Sequence, residues 1–394
     1  MEMVHGDVDC INATGQTLPY APCFSAAVSE HCFTAHVHGR PDDGSDHDVS
    51  PRRGRCRWRV EFDPIQADCR PQPMSSPVVS ILMPVFNGAA FVGQAIESAI
   101  AQTYPDFELI IVNDGSTDNS AEVIRPYLAD PRIRYLEQPN GGVAAARNSA
   151  FRVAKGLYIG FLDQDDVWLP EKLALQIAYL KMSPQCAMVH ARQGYIDDKG
   201  RRVESEFINV EPVEGQCFRA LFDKNRIAVL TVLARRSVIE EVGGFNAHSS
   251  GGDDYELWLR IAWNYSIGFL DQVVAHYRVH SNNVSHDAFR MTVTDLAVID
   301  SILRDLPDVR KQLRLAANRR LFELNWQLAG WYMWRSQDFM TAKQHLRRAL
   351  DATPWSTKAW RRYAWCSLTA NQRRTLAWWR TRIGLARRHP PVDN

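Results

Sequence analysis

Apolar and polar positions alternate in a regular way between residue 78 and about residue 163. Continuous apolar runs of strand length are separated by stretches of helix length, a pattern typical of buried parallel strands joined by helices. The predicted strands are VVSILMPVF (78–86), FELIIVND (107–114), IRYLEQ (133–138) and LYIGFLD (157–163), and the predicted helices span about 89–101, 118–128 and 143–154. The pattern therefore predicts an α/β fold with a doubly wound, mostly parallel sheet that helices cover on both faces.

Polar residues stand where these predicted strands end. Pro84 and Asn87 close the first strand, Asp114 closes the second, and Asp163 and Asp165 follow the fourth. Ligands of doubly wound sheets bind at the carboxyl ends of the strands, so we expect these residues to share one rim.

Three carboxylates are concentrated in the segment FLDQDD (161–166), at Asp163, Asp165 and Asp166. Their mutual repulsion is tolerable if a cation or a hydrogen-bonded hydroxyl lies between them, although a solvated acidic turn would have the same composition. The chain has neither a GxGxxG segment nor a GxxxxGK[ST] loop, so a bound diphosphate would need a divalent cation. Mg²⁺ or Mn²⁺ suits carboxylate ligands better than Zn²⁺.

Six blocks of the sequence are similar to the successive motifs of the family 2 glycosyltransferases. They are SILMPVFN (80–87), VNDGSTD (112–118), NGGVAAARNSA (140–150), FLDQDDVWLPEKL (161–173), GGDDYELWLR (251–260) and YRVHSNNVS (277–285). The resemblance implies a GT-A fold, a nucleoside-diphosphate sugar donor, a divalent cation (Mn²⁺ or Mg²⁺) and inversion at the anomeric carbon. UDP and dTDP sugars are the expected donors, with a GDP sugar as an alternative.

The resemblance also implies roles for individual residues around the donor. Pro84, Phe86 and Asn87 would line the nucleotide pocket, Asp114 would accept a hydrogen bond from the base, Arg147 and Asn148 would lie near the ribose, and Asp163 would contact it. Asp165 would hold the metal. Two of these assignments have structural alternatives, since Asp114 could be an ordinary turn residue and Arg147 with Asn148 a solvated helix face.

The acids that follow these motifs have different expected roles. Asp166 is expected to cap the next helix, whose apolar stripe consists of Leu169, Leu173, Ile177 and Leu180. Asp254 matches the position of the catalytic base, which would deprotonate the acceptor hydroxyl. Asp253 stands where the family usually has Glu, so its role is open. Acids at a helix amino terminus also stabilise the helix dipole without any catalysis.

The last motif supplies His280, which resembles the histidine that reaches the metal or the diphosphate, and Arg278, which could neutralise a phosphate oxygen. A structural histidine is the alternative. Trp258 and Trp263 could stack on a sugar ring, although core packing is the simpler role. The region between 186 and 250 should bind the acceptor, but Arg192, Tyr195 and Arg226 are candidates without a motif.

The first 73 residues differ from the rest in composition. They carry 7 Arg, no Lys and 11 acids, with five cysteines and several histidines that do not have the spacing of a zinc module. Neither strand alternation nor a helical stripe is visible. We expect residues 1–73 to be disordered, with Met74 as the working start.

Residues 291–394 are predicted to be helical and carry 19 basic residues against 8 acids. Residues 328–360 resemble one tetratricopeptide unit, with Tyr332, Phe339, Ala342, Ala349 and Pro354 near the expected positions. A single unit cannot bury its own face, so it should dock on the catalytic domain (74–290) or on a partner. The helix LAWWRTRIGLARR (376–388) could rest on an anionic membrane face or simply dock or stay solvated. No motif supports nucleic-acid binding.

The sequence has no secretory signal and no run of about 20 apolar residues. We therefore expect a cytoplasmic location, with contact to the inner face of the plasma membrane if the terminal helix binds lipid. The expected function is an inverting glycosyltransferase of cell-surface polysaccharide synthesis that acts on a glycan or lipid-linked acceptor. The alternatives are a nucleotidyltransferase that makes the sugar donor and a non-catalytic scaffold that acts through the helical tail.

Overall fold

The computed structural model describes residues 76–204, 211–246, 251–280, 283 and 287–382, with side chains up to residue 376. The expectations for residues 1–73, including the start at Met74 and the missing zinc module, lie outside the described residues. Residues 383–388 of the helix expected over 376–388 lie outside them as well.

Eight strands form one mixed sheet. They are β1 (Val79–Val85), β2 (Phe107–Asp114), β3 (Ile133–Gln138), β4 (Tyr158–Phe161), β5 (Val167–Trp168), β6 (Cys186–Ile196), β7 (Leu233–Arg235) and β8 (Ser266–Arg278). Their order across the sheet is β3-β2-β1-β4-β7-β6-β8-β5. The first four strands coincide with the four predicted apolar runs and pair in parallel.

The other half of the sheet departs from the predicted mostly parallel arrangement. Strand β7 runs antiparallel to both β4 and β6, and β5 runs antiparallel to β8, whereas β6 and β8 are parallel. The sheet is therefore mixed. The short antiparallel strands pair through only two or three residues each, too few to produce a recognisable apolar run in the sequence.

Helices cover both faces of the sheet and continue beyond it. They are α1 (Val92–Ile100), α2 (Ser120–Ile124), α3 (Val143–Val153), α4 (Lys172–Met182), α5 (Phe218–Asp223), α6 (Arg236–Glu241), α7 (Asp253–Asn264), α8 (Ala288–Asp305), α9 (Pro307–Gln312), α10 (Arg314–Trp334), α11 (Phe339–Ala352), α12 (Thr357–Ser367) and α13 (Ala370–Arg382). The helix predicted over 118–128 is α2 followed by a 3₁₀ turn, Arg125–Ala129. Pro126 lies in that turn, where its missing N–H does not allow a regular α-helix to continue.

The core consists of two layers, one on each face of the sheet. Along β1, Ile81 and Met83 pack into one layer and Leu82 into the other, although all are fully buried. This explains why the strand is apolar at every position rather than at every second one. The predicted stripe on α4 is confirmed for Leu173, Ile177 and Leu180, which are buried, whereas Leu169 lies before the helix and is partly buried.

The C-terminal helical region (291–394) shares an apolar core with the predicted catalytic domain (74–290). Ile299 of α8 and Leu324 and Leu328 of α10 belong to the same apolar layer as Leu257 and Trp258 of α7. Helices α8 and α10 therefore pack on the catalytic domain, whereas docking of the predicted tetratricopeptide unit (328–360) stays a prediction. Helices α10 and α11 pack on each other around Ala342, but the tetratricopeptide assignment stays a prediction.

No helix in the described part of the chain combines the length and the apolar character that a membrane crossing requires.

Candidate active site

The loops after β1 and β2 are held together by side-chain hydrogen bonds. Asn87 has a positive φ of 51°, and its Oδ1 accepts a hydrogen bond from the Thr117 backbone N at 2.8 Å. Its own backbone N donates to Ser116 Oγ at 3.0 Å. Next to it Phe86 is 45% exposed, whereas Pro84 is buried within β1. Of the three residues predicted for the nucleotide pocket, Phe86 and Asn87 are exposed and Pro84 is not.

Asp114 accepts three hydrogen bonds from the protein. Its Oδ1 accepts from Gln138 Nε2 at 2.7 Å and from the Gly141 backbone N at 2.9 Å, and its Oδ2 accepts from the Gly142 backbone N at 2.8 Å. A carboxylate has about four lone-pair sites, so one remains for a ligand donor. The predicted bond to a base stays a prediction, and the structural role of Asp114 is clear from these contacts.

Gln164 lies in the loop between β4 and β5 (162–166), here called the acidic loop, and joins it to the end of β1. Its Oε1 accepts from the Phe86 backbone N at 2.8 Å and its Nε2 donates to the Phe86 carbonyl at 3.1 Å. Gly88 lies so close that a Cβ there would stand 2.4 Å from Gln164 Oε1. Sequence reasoning missed Gln164, because nothing local marks a residue whose partner is 78 positions away.

Arg147 is a buried cation between two carboxylates. Its NH2 donates to Asp163 Oδ1 at 2.7 Å and its NH1 donates to Asp253 Oδ2 at 2.9 Å. Burial alone would lower the pKa of the guanidinium, but Asp163, Asp253 and Asp254 together outweigh it and raise that pKa. Arg147 thus links the acidic loop after β4 to the start of α7, and Asp253 has a defined structural role.

Asp254 lies in the first turn of α7, one residue beyond Asp253. Its carboxylate accepts from the Tyr255 backbone N at 2.7 Å. Burial, and then the charge of Asp253, raise the pKa of Asp254 to about 6, while Arg147 opposes this shift. A carboxylate with such a pKa is still mostly ionised at pH 7 and is a better proton acceptor than an ordinary one.

His280, which follows β8, contacts Asp165 of the acidic loop. His280 Nε2 lies 3.0 Å from Asp165 Oδ2, and the imidazole stacks on Phe91 with ring centroids 5.2 Å apart. Burial, and then Asp163, raise the pKa of Asp165, which the hydrogen bond from His280 partly offsets. The sequence predicted that these two residues would act on the same ligand, and the structure brings them together.

The same pair fits a divalent cation. Two ligand atoms on adjacent octahedral positions, each about 2.1 Å from Mg²⁺ or Mn²⁺, are about 3 Å apart, which is the separation of His280 Nε2 and Asp165 Oδ2. Among the described residues no group of three or more His, Cys, Asp or Glu side chains is arranged to hold a metal. Asp165 and His280 could thus hold a cation that also takes ligands from a diphosphate and water.

Asp166 and Arg278 require corrections. Asp166 does not cap α4, which begins after Glu171 without a side-chain cap. Its Oδ1 accepts instead from the Arg278 backbone N at 3.0 Å. Arg278 is fully buried, and its guanidinium donates to the Asp165 carbonyl at 2.7 Å and to Gln94 Oε1 at 2.7 Å. It therefore supports the acidic loop from below instead of facing a phosphate.

Asn148 and the tryptophans of α7 also have structural contacts. The Asn148 amide pairs with the Phe245 peptide, donating to its carbonyl at 2.8 Å and accepting from its N at 3.1 Å. This positions the turn ahead of α7, and a contact with ribose stays a prediction. Trp258 is fully buried, and Trp263 packs edge-on against Phe218 at 4.8 Å, so both are core residues.

A cavity of about 500 Å³ opens next to Asp163 and Asp254. Its remaining walls come from β6, from the loop after α5 and from β8. Arg192, Tyr195 and Arg226, which the sequence offered without any motif, all line it. Pro84, Phe86, Asn87 and Asp114 do not line it, so Asp163 is the residue that the cavity shares with the group predicted to bind the nucleotide.

Comparison with known proteins gives consistent relatives. A family model described as Glycosyl transferase family 2 matches residues 80–243. An uncharacterized glycosyltransferase of Rickettsia felis is 32% identical over 228 residues, which are 58% of this chain and 37% of the relative. One of Rickettsia prowazekii is 32% identical over 222 residues, 55% of this chain and 69% of the relative. Chondroitin synthase of Pasteurella multocida is 30% identical over 210 residues, 53% of this chain and 21% of the relative. The chain thus spans well under half of the first and third of these proteins.

Two solved structures share the fold. S. aureus TarS 1–349 in complex with UDP-GlcNAc has a TM-score of 0.55 and 16% identity, and the match covers 80% of this chain and 94% of that one. The mannosyltransferase PcManGT of Pyrobaculum calidifontis in complex with GDP-Man and Mn²⁺ has a TM-score of 0.50 and 21% identity, with 81% and 84% covered. At these identities the likeness is one of fold.

Proposed function

Because the chain belongs to glycosyltransferase family 2 and has the GT-A fold, we propose that it is a metal-dependent inverting glycosyltransferase. It transfers a sugar from a nucleoside-diphosphate sugar to a hydroxyl group of a glycan or lipid-linked acceptor. The observation that carries this proposal is that Asp254 and Asp163 open on one cavity, with Arg147 holding the two segments together.

Asp254 is the proposed catalytic base. In the reaction the bond from the anomeric carbon to the diphosphate breaks, the diphosphate leaves with the electron pair, and the acceptor oxygen bonds to the opposite face of the sugar. The proton of the acceptor hydroxyl goes to the Asp254 carboxylate. The raised pKa of about 6 supports this role, because the proton is transferred more readily to a more basic carboxylate.

Asp165 and His280 are the proposed ligands of Mn²⁺ or Mg²⁺. When bound there, the cation would neutralise charge that develops on the diphosphate leaving group. The separation of 3.0 Å between the two ligand atoms supports this assignment, as does the Mn²⁺ named for the Pyrobaculum mannosyltransferase. Arg278 and Gln164 would position Asp165 indirectly. Arg278 donates to the Asp165 carbonyl, and Gln164, the residue before Asp165, accepts from the Phe86 backbone N.

The nucleotide is proposed to lie on the loops after β1 and β2. Phe86 has the exposed surface to contact the base, and Asp114 keeps one acceptor site for it. Asp163 would contact the ribose from the edge of the cavity. The donor is proposed to be a UDP or dTDP sugar, which agrees with the UDP-GlcNAc bound by TarS, and the GDP-Man of PcManGT makes a GDP sugar the competing choice.

The acceptor setting is proposed to be cell-surface polysaccharide synthesis. Support comes from the chondroitin synthase of Pasteurella multocida, although this chain spans 21% of that protein. The basic C-terminal region is proposed to contact an anionic membrane, where a lipid-linked acceptor would be anchored. Trp355 and Trp360, with 76% and 47% of their surface exposed, support this contact.

Donor binding and transfer can be tested separately. Thermal unfolding of the full chain is measured with UDP, dTDP and GDP, each with and without Mn²⁺, because a bound ligand raises the Tm. The nucleoside diphosphate that raises the Tm identifies the donor, and transfer from the corresponding nucleotide sugar is then compared between wild type, Asp254→Asn and Asp308→Asn. Asp308 is also an acid in the first turn of a helix, but it lies at the start of α9. We expect Asp254→Asn to bind nucleotide and not to transfer sugar, while Asp308→Asn does both; retention of near-normal transfer by Asp254→Asn would refute the base.

A further inference from the structure

The cavity beside Asp254 carries a group of cationic side chains that the donor does not need. Arg192 lies on β6, and Lys224 and Arg226 lie in the loop after α5. The carboxylates that line the same cavity, Asp163, Asp166 and Asp254, come from different segments, the loop after β4 and the start of α7. The cavity therefore has an acidic wall with the catalytic groups and a second wall that is cationic.

The two arginines have hydrogen-bonding capacity to spare. Arg226 Nε is buried and has no hydrogen-bond partner among the described residues. Arg226 NH1 lies 3.6 Å from Glu211, whose side chain is 90% exposed, and Arg192 Nε pairs with the exposed Asp271. Exposed ion pairs of this kind contribute little to stability, so a ligand oxyanion can replace them.

The rest of the cavity wall suits a sugar ring. Tyr195 and Tyr277 meet edge-on with ring centroids 6.1 Å apart, and Phe269 lies under the Arg192 guanidinium at 5.4 Å. Aromatic faces of this kind pack against the apolar C–H surface of a pyranose. Nearby His190 is buried and its Nε2 hydrogen-bonds the Val213 carbonyl at 2.7 Å, and burial lowers its pKa, so it is neutral at pH 7.

We propose that this cavity binds an acceptor saccharide that carries an oxyanion, either a carboxylate or a phosphate, and that Arg226 and Arg192 pair with it. The inference rests on the proposed function, because it assigns the acceptor side of the same site. We assign the anion to the acceptor and not to the donor diphosphate, since Asp163 alone of the residues predicted for the nucleotide lines the cavity, and Pro84, Phe86, Asn87 and Asp114 do not. Guanidinium groups form bidentate, charge-assisted hydrogen bonds with both kinds of oxyanion.

The test compares charged and neutral probes on the full chain. Calorimetric binding, with and without UDP and Mn²⁺, is measured for a glucuronic-acid-containing tetrasaccharide, for the same tetrasaccharide with its carboxylates reduced to alcohols, and for a glycerol phosphate tetramer. The proteins are wild type, Arg226→Gln, Arg192→Gln and the control Arg236→Gln. Arg236 also forms an exposed ion pair, with Glu240, but lies on α6 outside the cavity.

We expect one anionic probe to bind wild type about tenfold more tightly than the reduced tetrasaccharide. That preference should disappear in Arg226→Gln, decrease in Arg192→Gln and persist in Arg236→Gln. Which of the two anionic probes binds more tightly distinguishes a carboxylate from a phosphate acceptor.

The inference is overturned if the reduced tetrasaccharide binds as tightly as both anionic probes, if neither anionic probe binds at millimolar concentration, or if Arg226→Gln behaves like Arg236→Gln. UDP binding in the same samples separates this result from the proposed function. Normal Mn²⁺-dependent nucleotide binding with no preference for an oxyanion would reject the acceptor class alone, whereas a wild type that binds none of UDP, dTDP and GDP would reject the glycosyltransferase.

Discussion

Arg147 and Asp253 stand 106 residues apart in the sequence, and their side chains form a buried ion pair of 2.9 Å. The same guanidinium holds Asp163 at 2.7 Å, so one cation fixes the loop after β4 relative to the first turn of α7. Asp254, the proposed base, is the next residue on that turn. The position of the proposed catalytic carboxylate therefore depends on Arg147.

Replacing Arg147 with Met should destabilise the protein strongly. The change leaves Asp163 and Asp253 without their partner, and breaking a buried ion pair from one side costs about 3–5 kcal/mol. Urea unfolding measures the free energy of unfolding directly. Arg152→Met is the control, because Arg152 lies on the same helix and is exposed; equal stability of the two variants would contradict the structural role of Arg147.

The pH dependence of transfer should follow Asp254. Its pKa is raised from 3.8 to about 6, and only the ionised form accepts a proton, so kcat/KM should rise with pH through a midpoint at about pH 6 and level off roughly one pH unit higher. Loss of Arg147 should move this midpoint upward, because Arg147 lowers the pKa of Asp254. A profile that is flat from pH 5 to pH 8 would exclude Asp254 as the base.

Asp254 should also reduce stability at neutral pH. Because its pKa is higher in the folded than in the unfolded protein, the ionised carboxylate destabilises the fold increasingly as pH rises from about 4 to about 6. Asp254→Asn should therefore raise the free energy of unfolding at pH 7.5, by up to about 2–3 kcal/mol, and by less at pH 5. The same gain at both pH values in urea unfolding would show that charge is not the cause.

Asp165 and His280 should be required for the metal-dependent part of nucleotide binding. Loss of a residue that merely orients a metal ligand costs about 10–100-fold in affinity, and loss of a ligand should cost at least as much. Asp165→Ala and His280→Ala are compared with His345→Ala, which changes a histidine of α11 that stacks on Tyr332. Titration of UDP with and without Mn²⁺ should show a metal effect in wild type and in His345→Ala only.

Lys172 should make stability depend on pH. It is fully buried on α4, lies 4.5 Å above the Trp168 ring and donates to Gln176 and to the Val232 carbonyl, and burial lowers its pKa well below 10.5. The unfolded chain takes up a proton there more readily, so this lysine destabilises the fold as pH falls. Lys172→Met should therefore be more favourable at pH 6 than at pH 9, by about 1 kcal/mol or more in urea unfolding. The exposed Lys181 of the same helix is the control, and Lys181→Met should show no such difference.

The sequence alone was sufficient to predict the four strands of one half of the sheet. Strands β1, β2 and β4 are buried along their whole length, so each produced a continuous apolar run, and the edge strand β3 and the helices followed from the regular spacing. Strands β5 and β7 have two and three residues, and β6 becomes polar near Arg192 where it lines the cavity, so none of them gave a periodic signal. The half of the sheet that contains the antiparallel pairs was therefore not predicted.

For the site, the sequence determined which residue types stand at the strand ends and at the start of α7, because local patterns and motifs report burial and backbone preference. Only the tertiary structure determined their partners. Arg278 is buried and donates to the Asp165 carbonyl, Asp166 accepts from the Arg278 backbone N, and Gln164 accepts from the Phe86 backbone N. The physical reason is that such a contact depends on how distant segments pack, and packing leaves no local trace in either segment.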